Sequence, residues 1–234
     1  MKENIDSKKI GNRKIIIELR FEALPSIIDR KGTLIEAIEK TNPNLFQYWE
    51  MNGDGIILRD KEKREEFTIL VALSYHRLSF TSWKIDTIES FYANFKKVYE
   101  AVQRVLGNIN LTRIGCRVIS TYPVKAKDYS MLLTNFKEKF PQKFFFENYP
   151  CRNVNLKMTY DNGMYQIGLI QEDDAFYERE FQNENTKKHF GFFLDTDNYV
   201  TNASKPLTDK ELVKEIFTLS LAVEKDIYEN LCDL

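Results

Sequence analysis

Short runs of alternating apolar and polar residues cover much of the chain, and four stretches instead repeat their apolar residues every three or four positions. Alternation predicts strands with one buried face, and the longer repeat predicts amphipathic helices. The elements predicted in the first half are a strand over 14–22, a helix over 31–40, a hairpin over 46–59, strands over 67–73 and 76–80, and a long helix that Asp86 caps and Gly107 ends.

The second half repeats this order of elements. Its predicted elements are a strand over 109–121, a helix over 127–140, strands over 142–148, 154–160 and 165–169, an acidic loop over 171–187, a strand over 190–194, and a helix opened by a Thr208/Glu211 capping box. In this last helix Leu219 and Val223 belong to the predicted buried stripe. Each half is thus predicted to be a β-α-β-β-β-β-α unit.

Two units of the same order predict an internal duplication, with unit boundaries at 1–107 and 108–234 within one compact fold. We expect an α+β protein with a single curved antiparallel sheet and with the helices on its convex face. The two opening strands should lie side by side at the centre of that sheet. This arrangement is analogous to the duplicated saddle of TATA-binding-protein-like folds.

Three short motifs carry a resemblance to a known family. They are Glu18–Phe21 (ELRF), Arg113–Arg117 (RIGCR) and Phe193–Asp197 (FLDTD), the last one just ahead of the terminal amphipathic helix. In these motifs the chain resembles an uncharacterised, sporadically distributed bacterial family of about this length, over nearly its whole extent. It departs from that family at Val223–Glu224, where Leu-His is usual, and at Ser120–Thr121, where an Asn is usual. The resemblance implies no known activity.

Composition limits the classes of function. The chain has 34 Lys and Arg against 35 Asp and Glu, so its near-neutral charge argues against extensive phosphate binding. No apolar run has the length of a membrane span, and the polar beginning of the sequence lacks the pattern of a secretion signal. Three widely separated cysteines, Cys116, Cys151 and Cys232, fit neither a disulfide framework nor a zinc ribbon. We therefore expect a cytoplasmic protein with reduced thiols and no membrane contact.

Motifs for catalysis and cofactors are missing from the sequence. Neither a G-x-S-x-G elbow nor a phosphate-binding glycine loop occurs, and the two histidines have no further ligands at metal-binding spacing. Asp195 and Asp197 alternate along a strand, which would let both face one cation, but a solvated strand end is the favoured interpretation. We predict no catalytic residue, no cofactor and no metal.

The face of the sheet turned away from the helices is the candidate site. If Leu19 and Phe21 are buried, then Glu18 and Arg20 point to this face, and by the same alternation so does Arg117. Arg20 and Arg117 are then expected to approach one another at the centre of the sheet. Arg77 and Lys157 are expected further out on the same surface.

These residues support two interpretations. Paired arginines with a glutamate between them could bind a carboxylate, a phosphate or an acidic loop of a partner. The competing interpretation is a solvated polar face held by weak cross-strand ion pairs. Our leading hypothesis is a non-enzymatic binding or accessory protein that engages a protein partner through this face or the acidic loop. A mobile-element or phage-defence setting would suit the resemblance.

Two further functions remain as alternatives. The segment Lys188–Phe193 partly matches an aromatic RNA-binding strand, so a single-stranded nucleic-acid binder using His189, Phe193 and Arg77 is one of them. Core packing of these aromatic residues is the competing interpretation. A hydrolase with a dispersed site is the other alternative. The oligomeric state is left open by the sequence.

Overall fold

The protein is described from a computed structural model over residues 5–66, 68–139, 152–181, 186–201 and 210–232. The strands are β1 Asn12–Phe21, β2 Tyr48–Met51, β3 Gly55–Arg59, β4 Ile69–Ser74, β5 Arg77–Ser82, β6 Leu111–Pro123, β7 Asn155–Tyr160, β8 Gly163–Ile170 and β9 Gly191–Thr201. The helices are α1 Ser26–Asp29, α2 Lys31–Thr41, α3 Ile88–Leu106, α4 Tyr129–Glu138, α5 Ala175–Glu180 and α6 Lys210–Leu231. The predicted strand 142–148, Cys151 and Thr208 lie outside the described residues.

All nine described strands join one antiparallel sheet in the order β2-β3-β4-β5-β1-β6-β9-β8-β7. The mixed α+β class and the single sheet are therefore confirmed. The opening strands β1 and β6 are paired at the centre of the sheet, as predicted. From this pair the order runs outward through β5, β4, β3 and β2 on one side and through β9, β8 and β7 on the other. The duplication and the division at residue 107 stay predictions.

The helices α2, α3 and α6 pack on one face of the sheet, where the main core lies. Ile15, Ile17, Leu19 and Phe21 of β1 point into this core, because side chains of a strand alternate between the two faces. Removing such side chains from water is the main contribution to the stability of the fold. None of the described helices contains an apolar stretch of membrane-spanning length.

Two details of the helices differ from the sequence predictions. Helix α3 is capped by Thr87, which forms a reciprocal capping box with Ser90, and not by Asp86. In α6, Leu219 is exposed to 42 %, whereas Ser220 and Glu224 are buried. Ile216 and Leu231 of the predicted stripe are buried, but Ser220 and Glu224 take the places expected for Leu219 and Val223, since both polar residues have hydrogen-bond partners on the sheet.

The acidic segment after β8 contains helix α5, which the sequence did not predict. Phe176 and Tyr177 of α5 pack with Ile119, Ile170 and Phe193 on the face of the sheet opposite the main core. The expectation that all helices lie on one side is therefore wrong for α5. Part of the face that was expected to be bare is covered by this short helix.

Candidate functional site

The candidate site is the polar face, which we define as the side of the sheet opposite α2, α3 and α6. Directly paired residues of neighbouring strands share a face. Glu18 of β1 is paired with Gly115 of β6, and Arg117 of β6 is paired with Asp197 of β9. The charged residues of all three motifs that carry the family resemblance therefore meet here, on three adjacent strands. They are Glu18, Arg20, Arg113, Arg117, Asp195 and Asp197.

A row of three arginines crosses the polar face at one end. Arg20 is paired with Arg77 of β5 on one side and with Arg113 of β6 on the other. We call Arg77, Arg20 and Arg113 the arginine row. Like charges at paired positions repel, so the row needs a nearby anion.

Glu18 supplies the carboxylate that the arginine row shares. The Arg20 Nε donates to Glu18 Oε1 at 2.8 Å, and the Arg113 Nη1 donates to the same oxygen at 3.1 Å. The Arg77 Nη1 lies 3.7 Å from Glu18 Oε2, which is an ion pair but too long for a hydrogen bond. The side chains of Arg20 and Arg77 are exposed to 52 % and 46 %. Two of the three guanidinium groups are thus accessible from solvent.

Gly115 makes room for Arg113. A Cβ atom on Gly115 would lie 2.8 Å from the Arg113 Nη1, so the guanidinium occupies the space above this glycine. From there it reaches Asp197 Oδ2 at 3.4 Å and covers the ring of Tyr199 at 4.7 Å. The Arg-Ile-Gly-Cys-Arg sequence therefore has a physical use, because a side chain on the glycine would displace the arginine.

The structure corrects the predicted pairing of Arg20 with Arg117. Arg117 is opposite Ile16 on β1, four residues from Arg20 along the strand, and the neighbour of Arg20 on β6 is Arg113. Sequence reasoning left Arg113 out of the candidate site, although its spacing of four from Arg117 puts both on one face of a strand. Lys157 lies on the edge strand β7, where its register partner is Gln166. It is remote from the arginine row.

Arg117 belongs to a second charged group, the Arg117 cluster, formed by Lys14, Arg117, Asp195 and Glu180. Two nitrogens of the Arg117 guanidinium bind Asp195, Nε at 2.8 Å and Nη2 at 2.7 Å. Glu180 at the end of α5 lies 3.1 Å from Lys14 Nζ and 3.7 Å from Arg117 Nη2. The ion pairs of Glu180 with Lys14 and Arg117 therefore link α5 to the sheet.

The pKa values in these clusters are set by burial and by neighbouring charges, which often act in opposite directions. The hydrogen-bonded Asp195 raises the pKa of Arg117. Burial opposes the charges of both Lys14 and Glu180. Burial lowers the pKa of Lys14. For Glu180, burial alone would raise the pKa, but the positive charges of Lys14 and Arg117 outweigh burial, so the pKa of Glu180 is lowered. Burial raises the pKa of Asp197, which Arg113 and Arg117 only partly counteract. The charged form is therefore disfavoured at Asp197 and favoured at Glu180.

The two aromatic residues of the nucleic-acid alternative are not free for base stacking. Phe193 does point away from the main core, but it is only 4 % exposed and its ring stacks on Phe176 of α5 at 4.1 Å. His189 is half-buried, and its Nδ1 lies 3.1 Å from the hydroxyl of Tyr177. Burial lowers the pKa of His189. A base has no access to the ring of Phe193 while α5 is in place.

Asp195 and Asp197, which were considered as cation ligands, have arginine partners instead. Arg117 binds Asp195, and Arg113 binds Asp197. Across the described ranges, no three His, Cys, Asp or Glu side chains are placed to hold one metal ion. Among the described residues, the cations in direct contact with these two carboxylates are guanidinium groups.

A buried polar group on the helix side was missed by sequence reasoning. Glu224 of α6 is 1 % exposed and accepts hydrogen bonds from Arg13, Ser120 and Tyr122 of the two central strands. Ser120 and Glu224 are two of the positions at which the chain departs from the family it resembles. That departure was the only sequence feature that pointed to a buried Glu224, because a single glutamate beside an apolar stripe is ordinarily predicted to be solvent-exposed.

Comparison with known proteins adds no assignment. No family model matches the chain, and no curated protein matches it significantly. The resemblance to an uncharacterised bacterial family therefore stays a prediction, and the case for a function rests on the polar face.

Proposed function

We propose that the protein is a non-enzymatic binding or accessory protein that engages an acidic segment of a protein partner through the arginine row. The observation that carries this proposal is a local imbalance of charge. Three guanidinium groups surround Glu18, and only Arg113 among them contacts a second described carboxylate, Asp197. A cytoplasmic location belongs to the same proposal, and the resemblance alone supports a mobile-element or phage-defence setting.

The arrangement of the row favours an anionic ligand over a purely structural role. Cross-strand pairs of like charge are destabilising, whereas alternating charges would serve solubility without that cost. Arginine is also the side chain best suited to bind a carboxylate with two parallel hydrogen bonds. A partner carboxylate placed on Arg20 and Arg77 would relieve the repulsion within the row.

The Arg117 cluster supports the proposal by example. Glu180 comes from α5, outside the sheet, and it sits on Lys14 and Arg117 of the polar face. The adjacent Phe176 and Tyr177 pack on apolar residues of the same face. A partner segment that combines a carboxylate with apolar neighbours would bind the exposed end of the face by the same chemistry.

The test is affinity capture from the native host with three forms of the chain. The first is the wild type and the second is the Arg20→Ala/Arg77→Ala variant. The third is a control, Lys97→Ala/Arg104→Ala, which removes two exposed positive charges from α3 on the opposite face. We expect a protein that the wild type and the control retain and that the arginine-row variant retains at least about tenfold less, the loss of roughly one charge-assisted contact.

Equal capture by all three forms would contradict the proposal. Thermal unfolding of each form checks that the fold is intact, and we expect little change because the substituted side chains are exposed. Single-stranded oligonucleotide retained through Arg77 and lost steeply with salt would instead favour the nucleic-acid alternative and overturn the protein partner.

A further inference from the structure

We propose that the arginine row is an oxyanion-binding site in which Glu18 acts as a built-in competitor. A ligand carboxylate or phosphate would bind by taking the place of Glu18 on Arg20 and Arg77. This inference rests on the proposed function and adds two things to it. It names the chemical group that is recognised, and it places an internal control of affinity inside the site.

The contacts of Glu18 are shared and incomplete. Its Oε1 accepts from both Arg20 and Arg113, while its Oε2 faces Arg77 at a distance too long for a hydrogen bond. Within the described part of the chain, Arg77 makes no side-chain hydrogen bond, and Arg20 makes only the one to Glu18. Since each guanidinium carries five N–H donors, most of the donors of these two arginines remain for a ligand.

The arginines of the row differ in solvent exposure, with Arg113 largely buried and Arg20 and Arg77 open to solvent. Arg113 and Glu18 are 17 % and 18 % exposed, and Arg113 is held from below by Asp197 and the ring of Tyr199. Arg20 and Arg77 are about half exposed and are paired across β1 and β5. A ligand arriving from solvent therefore meets Arg20 and Arg77 first, with Glu18 behind them.

Asp195 of the Arg117 cluster is a carboxylate held more firmly than Glu18. Asp195 is bound by two nitrogens of one guanidinium at 2.8 and 2.7 Å, and its side chain is only 6 % exposed. Glu18 has no such two-point contact with any single arginine among the described residues. Of the two carboxylates, Glu18 is the one that a competing oxyanion can replace.

The experiment titrates the full chain with two probes, an N-acetylated, C-amidated tetraglutamate peptide and inorganic phosphate, by isothermal calorimetry at low salt. The forms compared are the wild type, Glu18→Gln, Arg20→Ala/Arg77→Ala and the control Lys97→Ala/Arg104→Ala. We expect Glu18→Gln to bind at least one probe more tightly than the wild type by about threefold or more. The control should match the wild type, and the arginine-row variant should not bind.

A second measurement follows probe binding on the wild type itself, and a variant is used only to assign the resonance. The Nε–H resonance of Arg20, identified by its absence in Arg20→Lys, should shift during titration with the bound probe. A stronger response to the peptide would assign the site to a protein carboxylate, and a stronger response to phosphate would assign it to a phosphate group. Either response supports the oxyanion site.

Two results would overturn the inference. If Glu18→Gln is folded and binds neither probe more tightly than the wild type, Glu18 is not a competitor. If neither probe binds any form and the Arg20 resonance does not move, the row is not an oxyanion site. These failures are distinct from failure of the proposed function, which is decided by whether capture of a host protein depends on Arg20 and Arg77.

Discussion

Arg13 and Glu224 are separated by 211 positions in the sequence, yet the Arg13 Nη2 donates to Glu224 Oε2 at 2.7 Å. The pair joins β1 to α6, and both side chains are nearly removed from solvent, at 11 % and 1 % exposure. Tyr122 Oη donates to the other carboxylate oxygen at 2.7 Å, and Ser120 Oγ donates to it as well. Every charge of this pair is therefore compensated, which is the condition for a buried ion pair to be tolerated.

We expect Glu224→Ala to destabilise the fold by about 3–5 kcal/mol, because it leaves the Arg13 guanidinium buried without its carboxylate. Glu224→Gln should cost less, since its one carbonyl oxygen can still accept from both Ser120 and Tyr122. Urea unfolding gives the free energy of each form. Glu215→Ala, at an exposed position of the same helix, is the control and should stay within about 0.5 kcal/mol of the wild type. A small effect of Glu224→Ala would mean that the pair is not buried in solution.

Asp195 and Asp197 make a matched comparison, since they lie two residues apart on the same face of β9. Asp195→Asn should destabilise the fold by about 2 kcal/mol, because it removes the two-point contact with Arg117 from a buried site. Asp197→Asn should change it by less than about 0.5 kcal/mol. Burial raises the pKa of Asp197, and its contact with Arg113 is a single one at 3.4 Å. Chemical unfolding at pH 7 gives the free energy of unfolding of both variants, and an equal loss of stability in the two would contradict this expectation.

His189 should make stability depend on pH. Burial lowers its pKa below the ordinary value of 6.5, so the folded state binds this proton less readily than the unfolded chain does. The contribution to stability is therefore complete above pH 6.5 and is lost as the pH falls from 6.5 through the lowered pKa of the folded state. The free energy of unfolding, measured between pH 7.5 and pH 5, should fall over that window.

Two histidine variants separate this effect from other titrations. His189→Gln should remove the decline between about pH 6.5 and the lowered pKa, and His76→Gln should retain it, because His76 is exposed at the turn between β4 and β5. The neighbour Gly11 provides a structural check. A Cβ atom there would overlap His189 Cε1, so Gly11→Ala should force the ring to move. An unchanged decline in His189→Gln would assign the pH dependence to another group.

Helix α5 should be held to the polar face mainly by its aromatic residues. Phe176→Ala removes the stacking on Phe193 at 4.1 Å and should destabilise the fold by about 3 kcal/mol. Leu219→Ala, at a position exposed to 42 %, is the control and should have little effect.

Tryptophan fluorescence can locate that loss. The chain has two tryptophans, and Trp83 donates its indole N–H to the carbonyl of Glu180 at the end of α5. In a Trp49→Phe background, Phe176→Ala should shift the emission of Trp83 to longer wavelength, because water reaches the indole when α5 loosens. Unchanged emission together with unchanged stability would mean that α5 is not packed on the sheet.

Alternation within single strands was sufficient to assign the residues of the central strands to the two faces of the sheet. Glu18 and Arg20 were assigned to one face and Leu19 and Phe21 to the other, and Phe193 was separated from Phe192, all from alternation. These assignments succeed because the period of two belongs to a single strand and needs no partner. The hairpin at Asn52–Gly55 and the end of α3 at Gly107 were equally local, since each depends on turn residues at the spot.

Which of these residues meet follows from how distant segments of the chain pair and pack. Arg20 faces Arg113 and not Arg117, because the register of β1 against β6 depends on pairing between distant segments. Glu180 reaches the polar face because α5 carries aromatic residues that bury against that face. Alternation says where a side chain points, but contact between segments far apart in the chain depends on register and on packing, which no local pattern contains.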